Sequence, residues 1–133
     1  MKPQGTWKAL DGLEIPYFNL ADFCLDDQHL LHSARWERKN AYAPYSNFLV
    51  GIAMLTPNGT VRSGHNNENV IFDVLHGEGC ALGKLELQDK GQVVRIAVVA
   101  AMDEAKVPLS PAESPITCCG KCRQMIWEFA AGN

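Results

Sequence analysis

The chain has 133 residues, of which 47% are hydrophobic, and it carries a formal net charge of -3 at pH 7. This length suits one globular domain with a modest core. The acidic balance gives no positive field of the kind that nucleic-acid binding needs, so no nucleic-acid partner is expected. No apolar run approaches the roughly 18 residues that span a bilayer, and the N-terminal sequence MKPQGTWKALDG lacks the apolar core of a signal peptide. We therefore expect a cytoplasmic protein without a membrane partner.

The first half of the chain predicts an irregular arm, a helix and a hairpin, in that order. Residues 1–24 contain scattered prolines, glycines and aromatic residues, and we expect them to form an arm that packs on the body of the protein. In residues 25–40, apolar side chains recur at helical spacing among charged ones. The strings NFLVGIAMLT and TVRSGHN predict two strands, and the Asn58-Gly59 pair between them predicts the tight turn of a hairpin.

The second half predicts a helix, a buried strand and another helix. In residues 76–92, HGEGCALGKLELQDKGQ, apolar residues follow a helical pattern, and Gly91 occupies the place of a C-cap glycine. VVRIAVVAA is a β-branched run typical of a strand that is buried on both faces. A loop over residues 103–116 leads to a helix in CCGKCRQMIWEFA. The order α, β, β, α, β, α predicts an α/β fold with helices against both faces of one sheet.

The five cysteines are an odd number, and three of them crowd into the string TCCGKC. This clustering suits metal or thiol chemistry in a reducing compartment better than a disulfide framework. Cys24 and Cys80 stand apart from the cluster, and we expect each to be a small buried apolar residue.

Residues with metal-ligand chemistry stand at the starts of two predicted helices. Cys119 and Cys122 form a C-x-x-C pair at one helix, and His76 precedes the other. Three protein ligands with a fourth position left to water are typical of catalytic zinc, whereas structural zinc takes four. Glu78 lies on the same helical turn as His76, where its carboxylate can move a proton without binding the metal. Each motif is weak by itself, since C-x-x-C is also a redox motif and H-x-E an ordinary polar helix start, but the combination predicts a Zn²⁺ site.

The strings AYAPYSNFLVGIAMLT, GHNNEN, HGE and CCGKCRQ occur in the order and at the spacing of the cytidine deaminase family, which the chain resembles from about residue 30 to its C-terminus. The resemblance implies a three-layer α/β/α sandwich with one mixed β-sheet and one Zn²⁺ per chain. It also implies hydrolytic deamination of cytidine and deoxycytidine to uridine and deoxyuridine plus ammonia. In such enzymes a zinc-bound hydroxide attacks C4 of the base. By position, His76, Cys119 and Cys122 would hold the metal and Glu78 would be the proton shuttle.

Four further positions correspond to family residues that contact the nucleoside. Asn66 and Glu68 match a pair that hydrogen-bonds the ribose hydroxyls. Phe48 matches an aromatic residue that packs beside the base, and Gly77 replaces an alanine whose backbone faces the base edge. From the residues alone, the Asn-rich stretch also suits a simple turn, and a strand phenylalanine is usually a core residue.

Two departures separate this chain from small tetrameric family members, which use three cysteine ligands and an arginine just after the glutamate. Here the first ligand is His76, and the arginine position is Gly79. One imidazole and two thiolates already balance the charge of Zn²⁺, so no additional cation is needed. Cys118 replaces the proline before the ligand pair. It could compete as a ligand or act as a redox partner, but we favour a bystander.

Three alternative functions stay open on the sequence. A deaminase of another aminated ring, such as a blasticidin-type nucleoside or a purine-like base, would keep the zinc residues and change the pocket, and the unusual VIFDVL segment leaves room for this. An RNA-editing deaminase agrees poorly with the acidic charge and with the Asn66 and Glu68 pair. A noncatalytic, zinc-stabilised module would have no use for Glu78.

The resemblance further implies a homo-oligomer. Family members of this size are usually tetramers, and the longer histidine-bearing relatives are dimers. We expect residues 25–133 to form the catalytic domain, residues 1–24 to form the arm, and the substrate to be a small-molecule nucleoside.

Overall fold

The computed structural model describes residues 2–8, 14–107 and 116–132. Its strands are β1 (Gly5–Lys8), β2 (Glu14–Tyr17), β3 (Phe48–Leu55), β4 (Val61–His65) and β5 (Arg95–Met102). Its helices are α1 (Leu25–Arg38), α2 (Gly77–Gly83) and α3 (Gly120–Phe129). The predicted order of helices and strands from residue 25 onward is confirmed, and the predicted turn has Gly59 at a φ of 83°. Part of the predicted 103–116 loop, residues 108–115, lies outside the described residues.

The N-terminal arm contains regular structure that the sequence does not predict. Strands β1 and β2 pair antiparallel, with Gly5 opposite Tyr17 and Lys8 opposite Glu14. The expectation of an irregular arm is therefore wrong for these two strands, because their few alternating residues are too short a pattern to separate from a loop. Residues 9–13 of the arm lie outside the described residues.

The main sheet has three strands in the order β4, β3, β5, with β3 in the centre. Both of its ladders are antiparallel, so that Gly51 of β3 lies opposite His65 of β4 and Val99 of β5. Parallel pairing in the described part of the chain is limited to isolated bridges, one of them between Val93 and Ala130.

Alternate residues of β3 pack against helices on opposite faces of the sheet. Ile52 and Met54, both fully buried, belong to a core cluster that includes Leu82 of α2 and is flanked by apolar residues of α3. Ala53 packs in a second cluster with Leu30 and other residues of α1. This alternation follows from the two-residue period of a strand. It confirms the α/β class and the three-layer α/β/α arrangement. The expected mixed pairing is not found among the described strands of this sheet, which are antiparallel.

Helix α2 is shorter than the sequence predicts. It ends at Gly83 instead of continuing to the predicted cap at Gly91, and a 3₁₀ turn follows at Leu87–Asp89. The buried Asp89 accepts a hydrogen bond at 3.1 Å from Asn58 of the hairpin turn. Tertiary contacts of this kind override helical periodicity. Gly91, at a φ of 75°, therefore belongs to a separate turn and does not cap this helix.

Cys24 is exposed, which contradicts the expectation of a buried apolar residue, and Cys80 is half-buried. Cys24 is the N-cap residue of α1, and its Sγ atom lies 3.4 Å from the Arg95 guanidinium, which also pairs with Asp27 at 3.1 Å. The capping position at the sheet edge explains its exposure. Among the described residues, no helix is both long and apolar enough to cross a bilayer.

Two glycines determine how closely the helices approach the sheet. A Cβ atom on Gly51 would lie 2.0 Å from the carbonyl oxygen of Ala34 in α1. A Cβ atom on Gly64 would lie 2.5 Å from the carbonyl oxygen of Gly77 and 2.6 Å from the amide nitrogen of Ala81, both in α2. Backbone therefore packs directly on backbone at both places, and the N-terminal end of α2 is fixed against β4.

Candidate zinc site and substrate pocket

His76, Cys119 and Cys122 converge at the starts of α2 and α3. His76 is the N-cap residue of α2 and Cys119 that of α3, while Cys122 is fully buried one turn later. The Nδ1 atom of His76 lies 3.7 Å from Cys119 Sγ and 3.4 Å from Cys122 Sγ. All three ligand atoms lie within 4.8 Å of one another.

These distances fit a tetrahedral zinc ion. Zinc bonds of about 2.0 Å to nitrogen and about 2.3 Å to sulfur, at a tetrahedral angle, place the two ligand atoms about 3.5 Å apart. One imidazole nitrogen and two sulfurs are also the ligand types that zinc prefers. The predicted site for one Zn²⁺ per chain is therefore confirmed. Within the part of the chain that the structure describes, the ligand cluster contains these three residues and no fourth.

The two thiols have different environments. The backbone amide and the side chain of Cys122 lower the pKa of the Cys119 thiol below its ordinary value. Burial raises the pKa of the Cys122 thiol, and its neighbours Cys119 and Glu78 raise it further. A bound cation opposes this effect because it favours the thiolate. A cation bound by the two cysteines would therefore favour the thiolate form of both.

Glu78 lies beside the three ligands, in the first turn of α2. Its side chain is 5% exposed and lines the same cavity as His76 and Cys119. Burial, together with the Glu78 carboxylate, raises the pKa of the neighbouring Cys118 thiol to about 11, so this thiol is neutral at pH 7. Cys118 is absent from the ligand cluster found among the described residues, which agrees with its interpretation as a bystander to the metal.

A cavity of about 300 Å³ brings the predicted site residues together. Of the eight residues predicted from the sequence, seven line it and Cys122 lies buried behind it; the seven are Phe48, Asn66, Glu68, His76, Gly77, Glu78 and Cys119. Its volume is at the lower end of the range for small-molecule sites. The residues come from β3, α2 and the segments that follow β4 and precede α3, so only the folded sheet assembles them.

Asn66 and Glu68 lie in the segment after β4, and their side chains bond the backbone of residues 45–50. The Asn66 side chain accepts a hydrogen bond from the Val50 amide at 2.8 Å and donates one to the Phe48 carbonyl at 2.8 Å. The Oε2 atom of Glu68 accepts bonds from the amides of Tyr45 and Ser46, at 2.8 and 3.2 Å. The Asn-rich stretch is therefore more than a local turn, because these hydrogen bonds join it to a separate segment of the chain, residues 45–50.

Phe48 and Gly77 both line the cavity, but Phe48 is partly exposed and Gly77 is buried. Phe48 is 37% exposed and lines the cavity, so it is not the core residue that a strand phenylalanine usually is. Gly77 is buried, and a Cβ atom there would lie 3.2 Å from Ile52 and 3.4 Å from His65. An alanine would need its neighbours to move by a few tenths of an ångström, so glycine suits this packing.

The sequence analysis missed several residues that line the cavity. They are Ser46, Val50, Val74, Val98, Ile116 and Thr117. Val98 belongs to the predicted buried strand, and Thr117 lies directly before the cysteine cluster, but a β-branched residue in either place is usually structural. Only their proximity in the folded chain identifies them.

A larger cavity, of about 580 Å³, lies elsewhere, between α1 and the segment before it. Its lining is mostly apolar, with Phe18, Phe23 and Leu31 among the residues, and Arg35 and Arg38 at one side. None of the zinc ligands reaches it. Size alone therefore does not identify the functional site. We take the smaller cavity as the functional site because the zinc ligands and Glu78 lie there.

Comparison with known proteins agrees with this site. The family model described as "Cytidine and deoxycytidylate deaminase zinc-binding region" matches residues 25–133. The chain is 39% identical over 110 residues to a cytidine deaminase of Halalkalibacterium halodurans, covering 82% of this chain and 76% of that protein. It is 34% identical over 110 residues to one of Sporosarcina psychrophila, covering 82% and 74%. The crystal structure of cytidine deaminase from Mycobacterium tuberculosis superimposes with a TM-score of 0.65 at 30% identity, covering 80% of each chain.

The motifs, the fold, the converging zinc ligands and these matches all lead to the same assignment, and they confirm the resemblance found in the sequence. The chain belongs to the cytidine and deoxycytidylate deaminase family of zinc-dependent enzymes.

Proposed function

We propose that this enzyme hydrolyses cytidine and deoxycytidine to uridine and deoxyuridine, releasing ammonia. The observation that carries the proposal is the cavity that places a buried carboxylate, Glu78, beside the His76, Cys119 and Cys122 cluster. The relatives named cytidine deaminase support the choice of substrate. The small cavity volume supports a simple nucleoside over a bulkier aminoacyl nucleoside.

In the proposed reaction, Glu78 moves the protons. His76, Cys119 and Cys122 would hold the zinc, which supplies an activated water because it lowers the pKa of a coordinated water towards about 7. Glu78 accepts the proton that this water loses and delivers a proton to N3 of the base as oxygen bonds to C4. Glu78 then takes the proton that remains on this oxygen and donates it to the amino group, so that the C4–N bond breaks, the oxygen becomes the C4 carbonyl of uridine, and ammonia leaves.

The remaining cavity residues would orient the nucleoside. Phe48 would pack against the base, and the backbone of Gly77 would contact the polar edge of the ring. Asn66 and Glu68 would bind the ribose hydroxyls, since Asn66 keeps one amide hydrogen after its bond to Phe48. The Oε1 atom of Glu68 accepts no hydrogen bond from a backbone amide among the described residues and would accept from a hydroxyl.

The test is a turnover assay on zinc-quantified protein, following the loss of cytidine absorbance in the ultraviolet. We expect turnover with one zinc per chain. Glu78→Gln keeps the size of the side chain but removes the base, so kcat should fall by about 10² to 10⁴-fold while zinc remains bound. Glu86→Gln is the matched control, because this exposed glutamate contacts Arg62 outside the cavity and should leave kcat unchanged.

The outcomes separate the candidate functions. Full activity of Glu78→Gln would contradict its role. The protein could bind zinc and turn over another aminated ring but neither cytidine nor deoxycytidine. That result would mean that the same chemistry acts on a different substrate. Zinc binding without turnover of any aminated ring would favour a noncatalytic module.

We further propose that the chain forms a homo-oligomer, and the state to be tested first is a tetramer. Beside the cavity, six large apolar side chains are exposed, namely Tyr42, Tyr45, Val70, Ile71, Phe72 and Leu75, and the Tyr45 and Phe72 rings lie 5.8 Å apart. An exposed apolar patch of this size is typical of an interaction surface. Light scattering should give a mass of four chains, and Phe72→Asp should reduce it. A wild-type monomer at micromolar concentration would contradict the proposal.

For the domain organisation, we propose that residues 25–133 are the catalytic domain and residues 1–24 an arm that packs on it. Phe18 and Phe23 line a cavity together with Leu31 of α1, which supports packing of the arm. A chain lacking residues 1–24 should keep zinc and cytidine turnover. We also propose a cytoplasmic location, supported by five cysteines of which none forms a disulfide.

A further inference from the structure

One wall of the proposed substrate cavity is formed by residues 45–50, which we call the pocket wall. It comprises the irregular segment before β3 and the first three residues of that strand. Ser46, Phe48 and Val50 of this wall line the cavity. Between them, Asn47 has a φ of 56°, in the left-handed region. Such a conformation is uncommon for a residue other than glycine, although asparagine tolerates it better than most. The pocket wall therefore depends on contacts from outside the segment to keep its shape.

Asn66 supplies the first of these contacts. It directly follows the last residue of β4, and its side chain continues the ladder to β3 by bonding the Val50 amide and the Phe48 carbonyl, both at 2.8 Å. Its backbone amide also donates to the Val50 carbonyl at 3.3 Å. Because one end of the amide accepts and the other donates, only asparagine among residues of this size satisfies both backbone groups.

Glu68 supplies the second contact. Its Oε2 atom accepts hydrogen bonds from two consecutive amides, those of Tyr45 and Ser46. The residue is only 9% exposed. Burial raises the pKa of its carboxyl, but bonds from the Ser46 side chain and from the two amides lower it below its ordinary value. The ionised group is therefore held by the backbone of the pocket wall, and without it those amides would lose their partner.

We infer that Asn66 and Glu68 are positioning residues for the base as well as ligands for the sugar. Both ends of the Asn66 amide and the Oε2 atom of Glu68 fix the pocket wall, and with it Phe48. The second amide hydrogen of Asn66 and the Oε1 atom of Glu68 are left for the substrate. This inference rests on the proposed function. Its consequence is that the two residues affect turnover even of a substrate that has no ribose hydroxyls for them to bind.

The experiment therefore uses 2′,3′-dideoxycytidine beside cytidine as substrate for the zinc-loaded enzyme. If Asn66 served only the sugar, Asn66→Ala would have no further effect on the dideoxy substrate, because the contact is already absent. A positioning role predicts that kcat for dideoxycytidine still falls at least about tenfold, because a displaced wall misplaces the base.

Glu68 provides a second, independent pair of variants. Glu68→Gln keeps an oxygen that can accept from Tyr45 and Ser46, so the kcat for dideoxycytidine should stay within about threefold of wild type. Glu68→Ala removes that acceptor, and kcat should fall at least about tenfold. Rescue by glutamine but not alanine would be the signature of positioning.

Hydrogen exchange monitored by NMR reports on the pocket wall without requiring turnover. The Val50 amide should exchange faster in Asn66→Ala, and the Tyr45 and Ser46 amides should exchange faster in Glu68→Ala. Asn58→Ala is the matched control, because Asn58 also bonds a backbone amide, that of Thr60, but in the distant hairpin turn. It should lower stability without changing exchange in the pocket wall or kcat.

The possible results separate the inference from the proposed function. Wild-type kcat for dideoxycytidine in Asn66→Ala and Glu68→Ala, with unchanged amide exchange, would overturn the inference and leave the deaminase proposal intact. Absence of cytidine turnover by the wild type would overturn the proposed function, and the exchange measurement would then still confirm or refute the positioning of the wall.

Discussion

Replacing Gly64 by alanine tests whether the packing of α2 on β4 sets the geometry of the zinc site. The added Cβ would lie 2.5 Å from the Gly77 carbonyl oxygen, whereas ordinary contact begins at 3.4 Å. Helix α2 must therefore move away by roughly 0.9 Å, the difference between these distances. The atoms of α2 within 2.6 Å of this Cβ are the Gly77 carbonyl oxygen, the Ala81 amide nitrogen and the Cys80 Cβ, and no side-chain rotation can move any of them. His76 and Glu78 move with the helix.

A displacement of this size exceeds what the metal tolerates, since zinc-ligand distances are fixed to within about 0.2 Å. We expect Gly64→Ala to lower zinc affinity by about 10 to 100-fold, measured by competition with a chelator. Turnover of zinc-loaded protein should fall on the order of 10²-fold. The free energy of unfolding should fall by about 1 to 3 kcal/mol in urea denaturation, as for other overpacked sites.

Gly83→Ala is the control within the same helix. A Cβ atom on Gly83 meets nothing within 4 Å, so alanine should stabilise the helix by about 0.5 to 1 kcal/mol and leave zinc affinity unchanged. If Gly64→Ala bound zinc and turned over cytidine like the wild type, the close approach of α2 to β4 would not be what positions His76, and the reasoning would be refuted.

Three further outcomes are expected. Burial raises the pKa of Glu37, but its hydrogen bond with His65 and a nearby lysine charge lower it below the usual 4.5. Its ionised form therefore stabilises the fold above pH 4.5, and this contribution is lost as pH falls through the lowered pKa. In Glu37→Gln, the free energy of unfolding in urea should decrease less below pH 5 than in the wild type. Ile52→Ala, at a fully buried position, should cost about 2 to 5 kcal/mol by the same assay, while Val61→Ala, at a position 40% exposed, should cost less than about 1 kcal/mol. Removing zinc with a chelator should lower the Tm in calorimetry, whereas the Tm of Cys122→Ala should not respond; an unresponsive wild type would argue against the metal site.

The chemistry of the site was predictable from the sequence because it depends on residue types at short spacing. Cys119 and Cys122 are one turn apart, and His76 and Glu78 share another turn, so local helix geometry already groups them in pairs. The arrangement of helices against a hairpin and a buried strand was predictable for the same reason, since hydrophobic periodicity is a local signal.

Other features were not predictable because they depend on contacts between distant residues. Helix α2 ends at Gly83, and Asp89 in the following 3₁₀ turn bonds the hairpin turn instead of continuing the helix. No helical pattern contains that information. Exposure of Phe48 toward the cavity, and the membership of Val98 and Thr117 in its lining, follow from the way the sheet and the last helix meet. The short β1 and β2 pair is too brief for its pattern to be recognised.

The sequence by itself determined which groups can bind zinc and move a proton, since the ligand types and their spacing within each helical turn are local properties. Only the tertiary structure decided that these turns meet in one cavity and that the Asn66 and Glu68 side chains hold its wall. The physical reason is that close packing at Gly64 and hydrogen bonds across the sheet act between segments far apart in the chain, and such contacts exist only once β3 and β4 have paired.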